Sequence, residues 1–114
     1  MANATRGSVL GERICFAGNA WSRAIGLLAH SSLDPGSGLL IDPSSGIHTF
    51  GMRFAIDVVA LDRQLRVIGL WESLGPFRIA AVNWKTRSVL ELPAGVIQQS
   101  HTRVGDQLSI QDAT

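Results

Sequence analysis

The sequence predicts a mainly β protein: a small single-domain barrel or sandwich with one or two short helices, and an α+β arrangement as the alternative. Three observations predict it. Short apolar runs rich in Val, Ile and Leu recur at close spacing, turn residues (Gly, Pro, Asp, Asn, Ser) separate them, and too few stretches are long enough to be crossover helices between parallel strands. At 114 residues there is room for one domain, and 46% hydrophobic with 17% charged residues is the composition of a globular core rather than a disordered chain. The expected limits are a β-rich domain over 8–111, a flexible N-terminus over 1–7 and a C-terminal tail over 112–114.

The elements follow in order. Val9 to Phe16 reads as an opening strand interrupted by Gly11, in which Cys15, between Ile14 and Phe16, is expected to be a buried, inert thiol. Asn19 is a plausible N-cap for a short helix to Ala29, with Trp21, Ile25 and Leu28 on one face. Gly38 to Ile41 is an apolar strand stopped by Asp42-Pro43, and Ile47 to Phe50 is a further strand. Ile56 to Leu61, the turn Asp62-Arg63-Gln64, and Leu65 to Leu70 form a β-hairpin whose first strand is apolar on both faces, the mark of a strand buried inside a sheet. Trp71 to Asn83 is irregular. Ser88 to Leu92 is a strand ended by Pro93-Ala94-Gly95, Val96 to His101 forms one or two helical turns, and Gln107 to Ile110 closes the chain as a strand.

Composition narrows the function. Ten basic residues against nine acidic ones leave a net charge of +1, and the basic residues form no block, so a nucleic-acid partner is not expected. One cysteine excludes an intrachain disulfide and a thiolate metal cluster. His30, His48 and His101 are too dispersed for a recognisable ligand pattern, so no metal is expected, and no sequence motif calls for a cofactor. No apolar stretch is long enough to span a membrane and Met1 to Gly7 is no signal segment, so the chain reads as cytoplasmic, or as exported if a leader has been removed from it.

A series of motifs between Arg23 and Asp106 resembles the bacterial and archaeal family called domain of unknown function 192. Arg23-Ala24-Ile25-Gly26-Leu27-Leu28 is similar to its Arg-x-x-Gly-Leu-Met helix, and Gly38-Leu39-Leu40 to its Gly-Met-Leu strand. Phe50-Gly51-Met52-Arg53 with Ile56-Asp57 resembles its aromatic-x-Met-Lys segment leading to Pro-x-Asp, with Arg53 for the usual Lys and Ala55 near a common Pro. Leu61-Asp62 and Gly105-Asp106 fit two turns, and Val89-Leu90-Glu91-Leu92-Pro93-Ala94-Gly95 is the most specific match. The resemblance implies a compact β-rich barrel or sandwich with no established activity. Some members are encoded near secretion or pilus genes, which implies an accessory role.

The polar residues among these apolar runs are the candidates for chemistry. Burying an unpaired Asp or Arg is expensive, so Arg53 and Asp57 must be exposed, paired or hydrogen-bonded. One reading gathers His48, Arg53, Asp57 and Glu91 into a pocket for a small anionic or polar ligand, rimmed by Trp71, Phe77 and Arg78. The plainer reading has Asp57 accepting backbone N–H bonds and Glu91 lying on an edge strand or pairing with Arg87. No complete catalytic set is visible. The first expectation is therefore a binding or accessory module. The alternatives are an acid–base enzyme, a hydrolase or lyase with Asp57 and Glu91 as its carboxylate pair, and a structural subunit that meets a protein partner through Trp71 to Trp84. The N–H groups after Pro93-Ala94-Gly95 are also candidates to receive an anion.

Overall fold

The computed structural model describes residues 1–17, 34–44, 47–48, 54–75, 79–80 and 83–110. Within them the chain runs β1 (Ala2–Asn3), β2 (Ser8–Val9), β3 (Arg13–Ala17), β4 (Ser37–Ile41), β5 (Ile47–His48), β6 (Ile56–Leu61), β7 (Val67–Leu74), β8 (Ile79–Ala80), β9 (Ser88–Pro93), α1 (Val96–Gln99) and β10 (Leu108–Ser109). The fold is mainly β, as the turn-punctuated apolar runs predict. The helix expected over 19–29 lies outside the described residues.

Among the described residues the framework is a five-stranded sheet in the order β3-β4-β9-β6-β7. β3 and β4 run parallel and the other neighbours antiparallel. β6 is buried at every residue, because it lies inside the sheet and both of its faces are covered. Its alternating side chains divide the apolar residues in two. Val59 and Leu61 join Leu40, Leu90 and Leu92 on one face, where Met1, Leu10, Ile97 and Leu108 pack over them. Ile56, Val58 and Ala60 join Ile41 and Val89 on the other. A small sheet, β10-β1-β2, together with α1 therefore supplies the layer over the first face.

The β6–β7 hairpin turns where expected. The Asp62 carboxylate accepts the N–H groups of Gln64 and Arg66, both at 2.9 Å, an Asx-type turn that the side chain itself holds. β7 runs on to Leu74, beyond the predicted Leu70. Ile56 pairs with Leu74 and Val58 with Trp71, so Glu72 and Ser73 together face Asp57 in a β-bulge.

Two expectations are corrected. Residues 1–7 carry β1, the middle strand of the small sheet, with Asn3 fully buried. A two-residue strand has no alternation to betray it, and its partners Leu108 and Ser109 lie at the far end of the chain. Cys15 is exposed rather than buried, and Phe16 is 62% exposed, because β3 is the edge strand of the large sheet.

Asn3 organises a polar cluster that ties the two ends together. Its Nδ2 donates to Thr102 Oγ1 at 3.1 Å and to Asp106 Oδ2 at 3.0 Å. Arg6 holds the same carboxylate with two bonds, Nε to Oδ2 at 3.0 Å and Nη2 to Oδ1 at 3.1 Å, and the Arg103 N–H adds a third donor at 2.9 Å. The Arg6 guanidinium, assisted by Asn3 and the Arg103 N–H, lowers the Asp106 carboxyl from 3.8 to about 2, against the opposing effect of its burial. Folding thus favours the ionised form. Its contribution to stability is complete above about pH 4 and is lost as the pH falls toward 2. Asp106→Asn should lower stability near neutral pH by about 2 kcal/mol, and urea unfolding should show a smaller further loss on acidification than in the parent chain. An unchanged acid dependence would contradict this account.

Candidate functional site

Asp57 is fully buried on β6. It pairs with Leu92 across to β9, which puts its side chain on the face that α1 covers. Both carboxylate oxygens are used by the main chain. Oδ1 accepts the Ser73 N–H at 2.8 Å, and Oδ2 accepts the N–H groups of Gly95 at 3.1 Å and Ile97 at 2.9 Å. Each donor sits where regular pairing fails. Ser73 occupies the bulge at φ 50°, and Gly95 precedes α1 at φ 100°, a left-handed conformation that glycine takes without strain. The N–H groups of Gly95 and Ile97, at and after the Pro93-Ala94-Gly95 turn, are taken by the chain's own Asp57 side chain.

Glu91 is also fully buried, but on the opposite face. It pairs with Val58 on β6 and Leu39 on β4, both of which belong to the second apolar group. β9 is an interior strand, not an edge, and Arg87 pairs instead with Asp42 at 3.0 Å. Asp57 and Glu91 therefore point away from each other through the sheet, and the carboxylate pair of the acid–base reading does not form. The reason is the two-residue period: positions 57 and 91 sit one step out of register.

Trp71 lies half-buried on the Glu91 side, where it packs against the second apolar group. A Cβ on Gly69 would come within 2.7 Å of the Trp71 ring, so the absence of a side chain there lets the ring lie along its own strand. His48 is on β5 opposite Ile79. Arg53, Phe77 and Arg78 lie outside the described residues. Trp84, on the turn before β9, is 87% exposed, with Lys85 Nζ 5.3 Å from its ring.

A cleft that the sequence did not announce opens beside the Asp57 bracket. It has a volume of about 400 Å³ and lies between β7, which gives Leu70 and Glu72, and the segment from α1 onward, which gives Ile97, Gln98, His101, Thr102, Arg103 and Val104. Asp57 fixes both walls, because its donors Ser73 and Ile97 are chain neighbours of Glu72 and Gln98. The outer wall turns sharply after α1. Thr102 N–H reaches Ile97 O at 3.1 Å and His101 N–H reaches Gln98 O at 3.2 Å, the paired bonds of a Schellman ending. His101 fills its left-handed position at φ 57°, where glycine is usual. The side chains of Glu72, Gln98, His101 and Arg103 make no hydrogen bond or ion pair within the described structure. Among the described residues no group of three or more His, Cys, Asp or Glu could hold a metal ion, and no helix is long and apolar enough to cross a membrane.

The chain belongs to the family of domain of unknown function 192, described as uncharacterized ACR, whose model matches residues 2–110. It is 28% identical over 113 residues to a UPF0127 protein of Thermococcus sibiricus, a match that covers 95% of this chain and 72% of that protein. Two solved structures share the fold at 20% identity. A protein of unknown function from Novosphingobium aromaticivorans superposes with a TM-score of 0.76, over 92% of this chain and 79% of its own. A protein from Sinorhizobium meliloti, designated a candidate transcription regulator, gives 0.69 over 82% and 78%.

The bracket makes a direct prediction. Asp57→Ala leaves three main-chain N–H groups without their acceptor and should destabilise the fold by about 3–5 kcal/mol. Glu72→Gln, an exposed change at the neighbouring bulge, should stay within about 0.5 kcal/mol of the parent. Urea unfolding measures both. Equal small effects would show that Asp57 does not hold the walls.

Proposed function

We propose that this member of the family is a small β-rich binding module, and that it takes a small polar ligand in the cleft between β7 and the segment 97–104. One observation carries the reading: four polar side chains, Glu72, Gln98, His101 and Arg103, line one hollow and spend no hydrogen bond among the described residues. The apolar side chains of Leu70, Ile97 and Val104 lie among them. Five of the eight lining residues are polar, which suits a small polar ligand, and about 400 Å³ is near the lower end of the size range of small-molecule sites. His101 supports the reading from a second direction. A side chain in a left-handed position that glycine fills more cheaply is expected where the side chain itself has a use.

In this reading Asp57 is a positioning residue. It touches no ligand and sets the distance between the walls. Glu91 and Trp71, on the opposite face, take no part in the site.

Two measurements test the proposal. A titration of the ¹⁵N-labelled protein with small acids, amines, amino acids, sugars and nucleotides should give a saturable compound whose shifts centre on residues 70–72 and 97–104. Shifts centred on the Glu91 face, or none from any compound, would overturn it. His101→Gly should stabilise the fold by about 0.5–1 kcal/mol, by relieving the left-handed strain, while weakening the compound found. A glycine variant that is both less stable and equally good at binding would remove His101 from the site.

A further inference from the structure

Resting on that binding reading, we propose that the ligand class of the cleft is a small zwitterion on an apolar carbon frame, of which free aliphatic amino acids are the simplest members. The two walls carry opposite charges. Glu72 projects from the bulge of β7, and Arg103 follows the Schellman turn after α1. Both are exposed, and they form no ion pair with each other, although they line the same hollow.

The backbone of each wall has its own anchor. The Glu72 wall is pinned through Ser73 N–H to Asp57, and the Arg103 wall is pinned twice, through Ile97 N–H to Asp57 and through Arg103 N–H to Asp106. Two opposite charges borne on separately anchored walls make a divided electrostatic field. A ligand with one charge satisfies one wall and meets repulsion at the other, so a simple anion faces the Glu72 carboxylate and a simple amine faces the Arg103 guanidinium. A ligand with both charges satisfies both. Arg103 offers the planar donor fork that suits a carboxylate, and Glu72 offers two acceptor oxygens to an ammonium group.

The rest of the lining narrows the class. Leu70, Ile97 and Val104 suit a hydrocarbon portion between or beside the charges. Gln98 and His101 add further hydrogen-bonding capacity without adding carboxylate. A nucleoside polyphosphate fits poorly, because several negative charges would meet a single guanidinium and an opposing carboxylate. A neutral sugar would leave both charges of the cleft unanswered.

The test compares three probes of one carbon skeleton by amide-shift titration: L-leucine, isocaproate, which lacks the amine, and isoamylamine, which lacks the carboxylate. Leucine should bind through residues 70–72 and 97–104 about ten-fold or more tightly than either. Glu72→Gln should abolish its advantage over isocaproate, and Arg103→Gln its advantage over isoamylamine. Both substitutions are on exposed side chains, and unchanged melting confirms that the fold persists. Isocaproate or isoamylamine binding in the cleft as tightly as leucine would overturn the zwitterion assignment and leave the binding site standing. A sugar or nucleotide that saturates the cleft while leucine does not would do the same. If neither these probes nor any acid, amine, sugar or nucleotide moves these amides, the assignment and the binding reading fall together.

Discussion

The Asp57 carboxylate and the three main-chain N–H groups that point at it are the interaction on which the arrangement around the cleft depends. A charge inside an apolar core is prohibitively costly without donors, and main-chain N–H groups away from solvent are costly without acceptors. Here each requirement meets the other. The bulge in β7 leaves Ser73 outside the regular ladder, and the first residues of α1 have no carbonyl in their own helix to bond. One buried side chain satisfies donors from both places, which ties the bulge of β7 to the start of α1.

The wall formed by 97–104 is held at its two ends by different means. Asp57 fixes its beginning. The cluster of Asn3, Arg6 and Asp106 fixes its end through Thr102 and the Arg103 N–H. Between these anchors lies the left-handed His101. The N-terminal strand thus matters to the cleft, although it never lines it, because it immobilises the turn from which Arg103 projects. The opposite face of the large sheet is a separate environment, with Glu91 set between Leu39 and Val58 and Trp71 laid along β7.

Much of the frame is legible in the sequence, for a physical reason. The run Ile56 to Leu61 is apolar on both faces because β6 is covered on both, and Asp62 marks its turn because a short carboxylate can bond the two N–H groups that follow. Asp57 and the Pro93-Ala94-Gly95 turn stand out singly, and the plainer reading of Asp57 as a backbone acceptor is the one that its geometry bears out. What the sequence hides is relation across distance. Nothing local says that the Gly95 amide is the donor for Asp57, that positions 57 and 91 fall on opposite faces, or that Asn3 meets Asp106. The cleft is hidden for the same reason. Glu72, Gln98, His101 and Arg103 are ordinary surface residues until a bulge, a four-residue helix and a Schellman turn place them around one hollow.

The most direct measurement of the central claim is native-state hydrogen exchange of the Ser73, Gly95 and Ile97 amides in the parent chain and in Asp57→Ala. If one carboxylate holds both walls, all three amides are protected in the parent, and the substitution quickens all three together by more than it quickens the amides of the β6–β9 ladder. Exchange that stays slow at all three sites, or that quickens equally throughout the sheet, would contradict the account.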